Sequence, residues 1–219
     1  MLTGSWPCPS GSAEYALSFG GGRSRRVLIV PALFEEGNKL RSFTVDVMRQ
    51  LDTLGIDSVL PDLPGSNESL APLSEQTLAG WRADVEAAAG HFDVGHVLAI
   101  RSGALCLPDT RPAILYAPQT GEKLLRHLLR SRIVSDREAG IESDSAGLLT
   151  EGRRDGIVLG GYRLGAGLIR DLADAVDIAT GPVIAQTDIG GPGLWLRAEA
   201  ASDAAQARAL AERVGALVR

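Results

Sequence analysis

Apolar positions along this 219-residue chain follow two alternating periods. Residues 26–33 are a near-continuous apolar run, which predicts a strand covered on both faces, and 57–63, 94–101 and 112–117 read as further strands. Between them the spacing changes. Residues 39–54 place Leu40, Phe43, Val47, Leu51 and Leu54 on one helical stripe, stopped by Gly55. Residues 73–89 do the same with Leu78, Trp81 and Val85. Ala13–Phe19 reads as a short strand ended by three glycines, and the polar stretch Glu35-Glu36-Gly37-Asn38 as a loop.

Further along, residues 121–134 predict a helix with Leu124, Leu125, Leu128 and Leu129 inside and Lys123, Arg126, Arg130 and Arg132 outside. Residues 135–155 are polar with little periodicity. Ile157–Leu159 and Tyr162–Leu164 read as short strands, 168–176 as a short helix, and 182–188 and 194–198 as the last two strands. Residues 203–218 form the final helix, with Asp203 as its N-cap. Strands alternating with helices imply an α/β fold with a mainly parallel sheet, in one domain spanning 1–219. Residues 121–176 form a cap insertion within it. Ligands of such sheets bind beyond the carboxyl ends of the strands.

Composition narrows the function classes. The net charge of −5 gives no footing for nucleic acid or an anionic membrane surface. Arg23, Arg25 and Arg26 read as a solvated turn. Cys8, in a Pro-rich N-terminal tail, and Cys106 form no disulfide framework or metal spacing, which fits a reducing compartment. No secretory signal and no bilayer-length apolar run is evident, so the expected location is the cytoplasm. No cofactor motif stands out. Gly160-Gly161 and Gly190-Gly191 lack the spacing of a phosphate loop.

The stretch Val97-Leu98-Ala99-Ile100-Arg101-Ser102-Gly103-Ala104 carries the main candidate chemistry. A buried strand breaking at a serine among small residues outlines a nucleophile elbow. Ser102 is the candidate nucleophile, with Phe34, Arg101 and Gly103 as oxyanion and elbow support. Ile100 stands where the general pattern has glycine, and the stretch to Arg111 leaves room for only a turn or two of helix. Asp188 is the candidate triad acid. The expected histidine is missing, because none follows His127. His91 and His96 fall at the opposite edge of the sheet, leaving His127 as the one histidine able to reach the cleft as a base. Glu35 and Glu36 lie in the oxyanion loop, where one would pair with Arg101 or serve as a base. Lys39 reads as a solvated cation and Trp81 as core.

Several segments resemble, in order, the exosortase A system-associated hydrolases, a branch of the α/β-hydrolases. Residues 30–41 are similar to the P-F-A-E-E-M-N-K-S-R segment of that family, and Asp62-Leu63-Pro64-Gly65-Ser66 to its D-L-x-G-x-G turn. Residues 99–105 resemble its G-L-R-x-G-A-L elbow. The stretch from Tyr116 to Arg132 resembles its cap entry, and residues 160–164 its G-Y-x-L turn. The resemblance implies a capped α/β-hydrolase fold and a link to exopolysaccharide production and exosortase sorting. It implies no particular substrate, and the central elbow residue of such relatives need not be serine.

Three readings remain open. One is a diverged serine hydrolase or acyltransferase acting on an ester or thioester. Another is a non-catalytic protein binding an acyl or glycan-related ligand in the old cleft. The third is an accessory partner using the cap as an interface. The oligomeric state stays open, a homodimer included.

Overall fold

The computed structural model describes residues 1–9, 13–175 and 180–218. Seven strands form one sheet in the order β1-β2-β4-β3-β5-β6-β9. The members are β1 (Leu2–Pro7), β2 (Ala13–Phe19), β3 (Arg26–Val30), β4 (Asp57–Pro61), β5 (His96–Ile100), β6 (Ala113–Tyr116) and β9 (Val183–Ile184). The β1–β2 and β2–β4 pairs are antiparallel, and every other pair is parallel. Side chains of β3 alternate between two cores: Val27 and Ile29 face one, Leu28 and Val30 the other. That period of two, apolar on both faces, is the signature of a sheet buried between helix layers.

Helices α1 (Phe34–Thr53) and α7 (Ala204–Leu217) cover one face, through Phe43, Val47, Leu51, Leu210 and Val214. The other face packs against α2 (Leu78–His91) and an insertion between β6 and β9. The insertion contains α3 (Gly121–Glu138), α4 (Ser145–Asp155), the hairpin β7 (Ile157–Leu159) and β8 (Tyr162–Leu164), and α5 (Ala166–Asp174). Gly160 and Gly161, both at positive φ, make the hairpin turn that favours glycine at both central positions. Residue 176, where the sequence reading ended a helix, lies outside the described residues.

Several sequence expectations are corrected. The N-terminal tail contains the edge strand β1, with Trp6 and Cys8 buried. Helix α1 begins at Phe34, so Glu35-Glu36-Gly37-Asn38 form its first turn and not a loop. Gly37 and Asn38 suggested a turn, but the acids suit a helix N-terminus. Gly37 is required by crowding: a Cβ there would sit 2.3 Å from the Ala32 carbonyl oxygen. The stretch 135–155 is mostly helical, since α3 runs on to Glu138 and Asp144 caps α4 by accepting from the Ala146 and Gly147 amides. After β9 the chain turns into α6 (Gln186–Ile189), and Leu194–Leu196 is a 3-10 turn, not a strand. Glycine and proline at 190–193 break extension before another ladder forms. The basic cluster does more than meet solvent: Arg25 donates to the carbonyls of Gly215 and Val218 at the end of α7, where a cation is favoured.

Candidate functional site

The carboxyl ends of β3, β5 and β6 converge on one region. Strain marks it. Of the five non-glycine residues at positive φ among the described residues, Phe34, Asn67, Arg101 and Ala117 lie along this edge. Non-glycine residues held in that conformation persist where surrounding contacts over-determine them, often at functional sites.

The elbow itself is offset from the sequence reading by one residue. Strand β5 ends at Ile100, and the sharp turn falls on Arg101, with φ +55°. A hydrolase nucleophile occupies this strained turn directly after the strand. The matching frame is therefore Ala99-Ile100-Arg101-Ser102-Gly103, with glycine at its last position and Ala99 at its first. Arg101–Cys106 then forms a 3-10 turn beneath the loop after β3. The close approach explains Gly103, because a Cβ there would meet the Val30 and Pro31 carbonyl oxygens at 2.5 Å.

Ser102 is fully buried, and its Oγ accepts a hydrogen bond from the Leu33 amide at 2.9 Å. The hydroxyl thus points back into the loop after β3. It occupies an N–H of the segment that, in this architecture, contributes to the oxyanion hole.

Arg101 is held on every side. Its Nε and Nη2 each bind one oxygen of Glu36 at 3.1 Å in bidentate geometry, so of the two acids that could pair with Arg101 it is Glu36 that does. Nη1 donates to the Ala117 carbonyl at 2.9 Å and Nη2 to Gln119 Oε1 at 3.2 Å. The guanidinium also lies 4.1 Å from the centre of the Trp195 ring. Only 13% of the Arg101 side chain and 14% of the Glu36 side chain are exposed. Glu35 pairs instead with Lys39 at 2.8 Å, one helical turn away.

The remaining candidates disperse. The Asp188 carboxylate accepts the Ala185 amide at 2.7 Å and closes its own turn. His96 opens β5 at the amino edge of the sheet, and exposed His91 packs edge-on against Phe92. His127 is exposed on α3 and borders the hollow above Arg101. Ser102 Oγ has no histidine hydrogen-bond partner among the described residues, and no group of three or more potential metal ligands occurs among them.

Two hollows flank the loop after β3. One has a volume of about 330 Å3 and is walled by Leu33, Phe34, Leu60, Leu63, Leu73, Trp81 and Tyr162. Phe34 stacks obliquely on Tyr162, ring centres 5.2 Å apart, and on Trp81 at 6.5 Å. The Trp81 indole donates to the Pro64 carbonyl at 2.9 Å, while Arg41, Thr44, Ser66 and Asn67 give the lining a polar part, Arg41 being paired with Asp62 at 3.2 Å. At the rim, Asn38 Nδ2 donates to the Tyr162 hydroxyl at 3.0 Å. Burial, and after it the charge of Glu35, push the Tyr162 phenol above its usual value, so it stays a donor at neutral pH. The second hollow, about 350 Å3, lies over Arg101 and Trp195 beneath α3.

Sequence reasoning missed Gln119, Trp195, Asn38 and Tyr162. Asn38, Gln119 and Tyr162 do fall within the motif segments, which was the available signal; Trp195 lies outside them, and the contacts of all four depend on loops meeting across the sheet.

The sheet order, the two helix layers and the strained turn after β5 can be compared with solved structures. Est1E from Butyrivibrio proteoclasticus, determined with ferulic acid bound, superposes with a TM-score of 0.55 at 16% identity, covering 83% of this chain and 76% of that one. Mouse alpha/beta hydrolase domain-containing protein 10 gives 0.54 at 17% identity, covering 84% and 76%. The fold is that of the α/β-hydrolases. A putative hydrolase from Agrobacterium vitis S4 matches over 100% of this chain and 99% of its own, with a TM-score of 0.53 at 15% identity. No family model matches the sequence, and no curated protein does. No helix among the described residues is long and apolar enough to cross a membrane.

Proposed function

We propose that this α/β-hydrolase-fold chain binds a small, largely apolar molecule without turning it over. The observation that carries this reading is the pairing of Ser102 with Leu33. A serine nucleophile needs an exposed hydroxyl, an adjacent base and free oxyanion donors. Here the hydroxyl is buried, bonded to an amide of the loop after β3, and one residue past the strained elbow position. Arg101, which takes that position, is no nucleophile.

The aromatic cavity is the ligand site in this reading. Its volume falls in the range of about 300–1,000 Å3 usual for small-molecule pockets, and its lining combines the aromatic and aliphatic side chains with Asn38, Arg41, Thr44, Ser66 and Asn67. The apolar part of the lining suits an acyl chain or an aromatic ring, with the Tyr162 hydroxyl, the Asn38 amide and Arg41 as polar anchors. The motif resemblance extends the proposal to a cytoplasmic role beside exosortase sorting and exopolysaccharide production.

The test uses two probes on the purified protein. A neutral fluorophore, N-phenyl-1-naphthylamine, should bind and brighten, and Leu73→Trp, which fills the cavity, should weaken it at least tenfold. Intact mass after a fluorophosphonate should be unchanged. Probe binding unaffected by Leu73→Trp would remove the cavity assignment. A serine adduct lost in Ser102→Ala would restore the hydrolytic reading, which the fold's esterase relative and the elbow serine favour.

A further inference from the structure

The hollow over the elbow shares no lining residue with the aromatic cavity and carries different chemistry. Lys123, Arg126, His127 and Arg130 border it at intervals of three and four residues along α3, which places them on one stripe of the helix. Local acids account for only part of this charge. Lys39 is paired with Glu35, Arg101 with Glu36, and Arg126 with Glu122. Lys123 and Arg130 have no acidic partner among the described residues. A chain with a net charge of −5 therefore keeps two uncompensated cations at the mouth of one concavity.

We infer that this hollow is a binding site for a phosphate monoester group. Two uncompensated cations match the charge of about −1.5 to −2 that such a group carries at neutral pH. Arg130 supplies a planar fork for two phosphoryl oxygens, and Lys123 supplies a mobile point charge. The Arg101–Glu36 pair, stacked on Trp195, forms part of the wall and leaves the uncompensated charge to Lys123 and Arg130. Below the phosphoryl group, Trp195 offers an apolar floor for the organic part of the ester. The site stands independently of any guest in the aromatic cavity.

The experiment is calorimetric titration of the full chain with methyl phosphate, and with acetate, at matched low ionic strength. The double variant Lys123→Gln/Arg130→Gln removes both free cations, which are exposed and make no hydrogen bond whose loss would unfold the chain. A control pair, Arg49→Gln/Arg154→Gln, removes the same net charge from exposed sites outside the hollow. The expected result is methyl phosphate binding at least tenfold tighter than acetate, weakened at least tenfold in the Lys123/Arg130 variant and unchanged in the control. Equal loss in both variants, acetate binding as tightly as methyl phosphate, or no binding to the wild-type chain would each overturn the site. Sedimentation with phosphatidate vesicles, competed by methyl phosphate, supports a lipid as the source of the ester; binding of methyl phosphate without sedimentation supports a soluble one.

Discussion

The Ser102 hydroxyl accepts the Leu33 amide at 2.9 Å, joining the elbow to the loop after β3 in a position closed to solvent. The bond therefore acts in stability. Ser102→Ala should leave a buried N–H without an acceptor, at a cost of about 1–3 kcal/mol. Chemical denaturation should show that loss, with probe and methyl phosphate affinities unchanged. A variant as stable as the wild type would mean that the amide finds another partner.

Arg101 combines a strained backbone with a shielded ion pair. Arg101→Ala should destabilise the chain by about 3–5 kcal/mol, since Glu36 is left with an unpaired, poorly hydrated charge. Arg101→Gly should recover roughly 1 kcal/mol of this, because glycine adopts φ near +55° without steric cost. Equal denaturation midpoints for the two variants would show that the turn carries no strain.

Ionisation of Glu14 makes folding less favourable as pH rises. Glu14 is 1% exposed, and burial, with the nearby Asp62 and Asp84 charges, raises its pKa despite the hydrogen bond from Ser69. The folded chain thus holds this proton to higher pH than the unfolded chain. Stability from the group is full below the unfolded value, about 4.3, and is lost as pH rises through the raised folded value. Glu14→Gln should raise the melting temperature at pH 7.5, with the gain shrinking towards pH 4. A gain independent of pH would assign the effect to packing.

Both thiols should be silent in the native state. Cys8 and Cys106 are buried, and burial pushes the Cys106 thiol up to about 12, against a weaker opposing effect of Arg82. Since the thiolate is the reactive form, Ellman's reagent should titrate neither residue until denaturant is added. Rapid reaction of the native chain would reveal local opening at β1 or at the elbow.

Period and strand burial made the framework legible in the sequence. Strands β2 to β6 and helices α1, α2, α3 and α7 follow from apolar spacing that tertiary packing reinforces. The weak points were short or edge elements. β1 exposes most of its residues, β9 has two residues, and α4 buries little, so none carries a strong periodic signal. The site was legible as a place and less so as an arrangement. Small residues around 99–105 located the elbow, and charge pointed to a pair between Arg101 and one of Glu35 and Glu36 without telling which. Which residue takes the strained φ depends on where β5 leaves its ladder with β6, at Ile100 opposite Tyr116, and no local pattern encodes that. Trp195 reaches Arg101 from a loop almost a hundred residues away.

The pairing of α7 with α1 has a consequence for synthesis. Ala207, Leu210, Ala211 and Val214 complete the core that Ile29, Phe43, Val47 and Leu98 begin, yet they emerge from the ribosome after the rest of it. A nascent chain halted before Asp203 holds that face covered by α1 alone, with the apolar surface that α7 buries open to water. Domains generally fold as units, and exposed apolar surface of this kind invites aggregation. Completion of this core therefore waits on α7, the element that covers the flank.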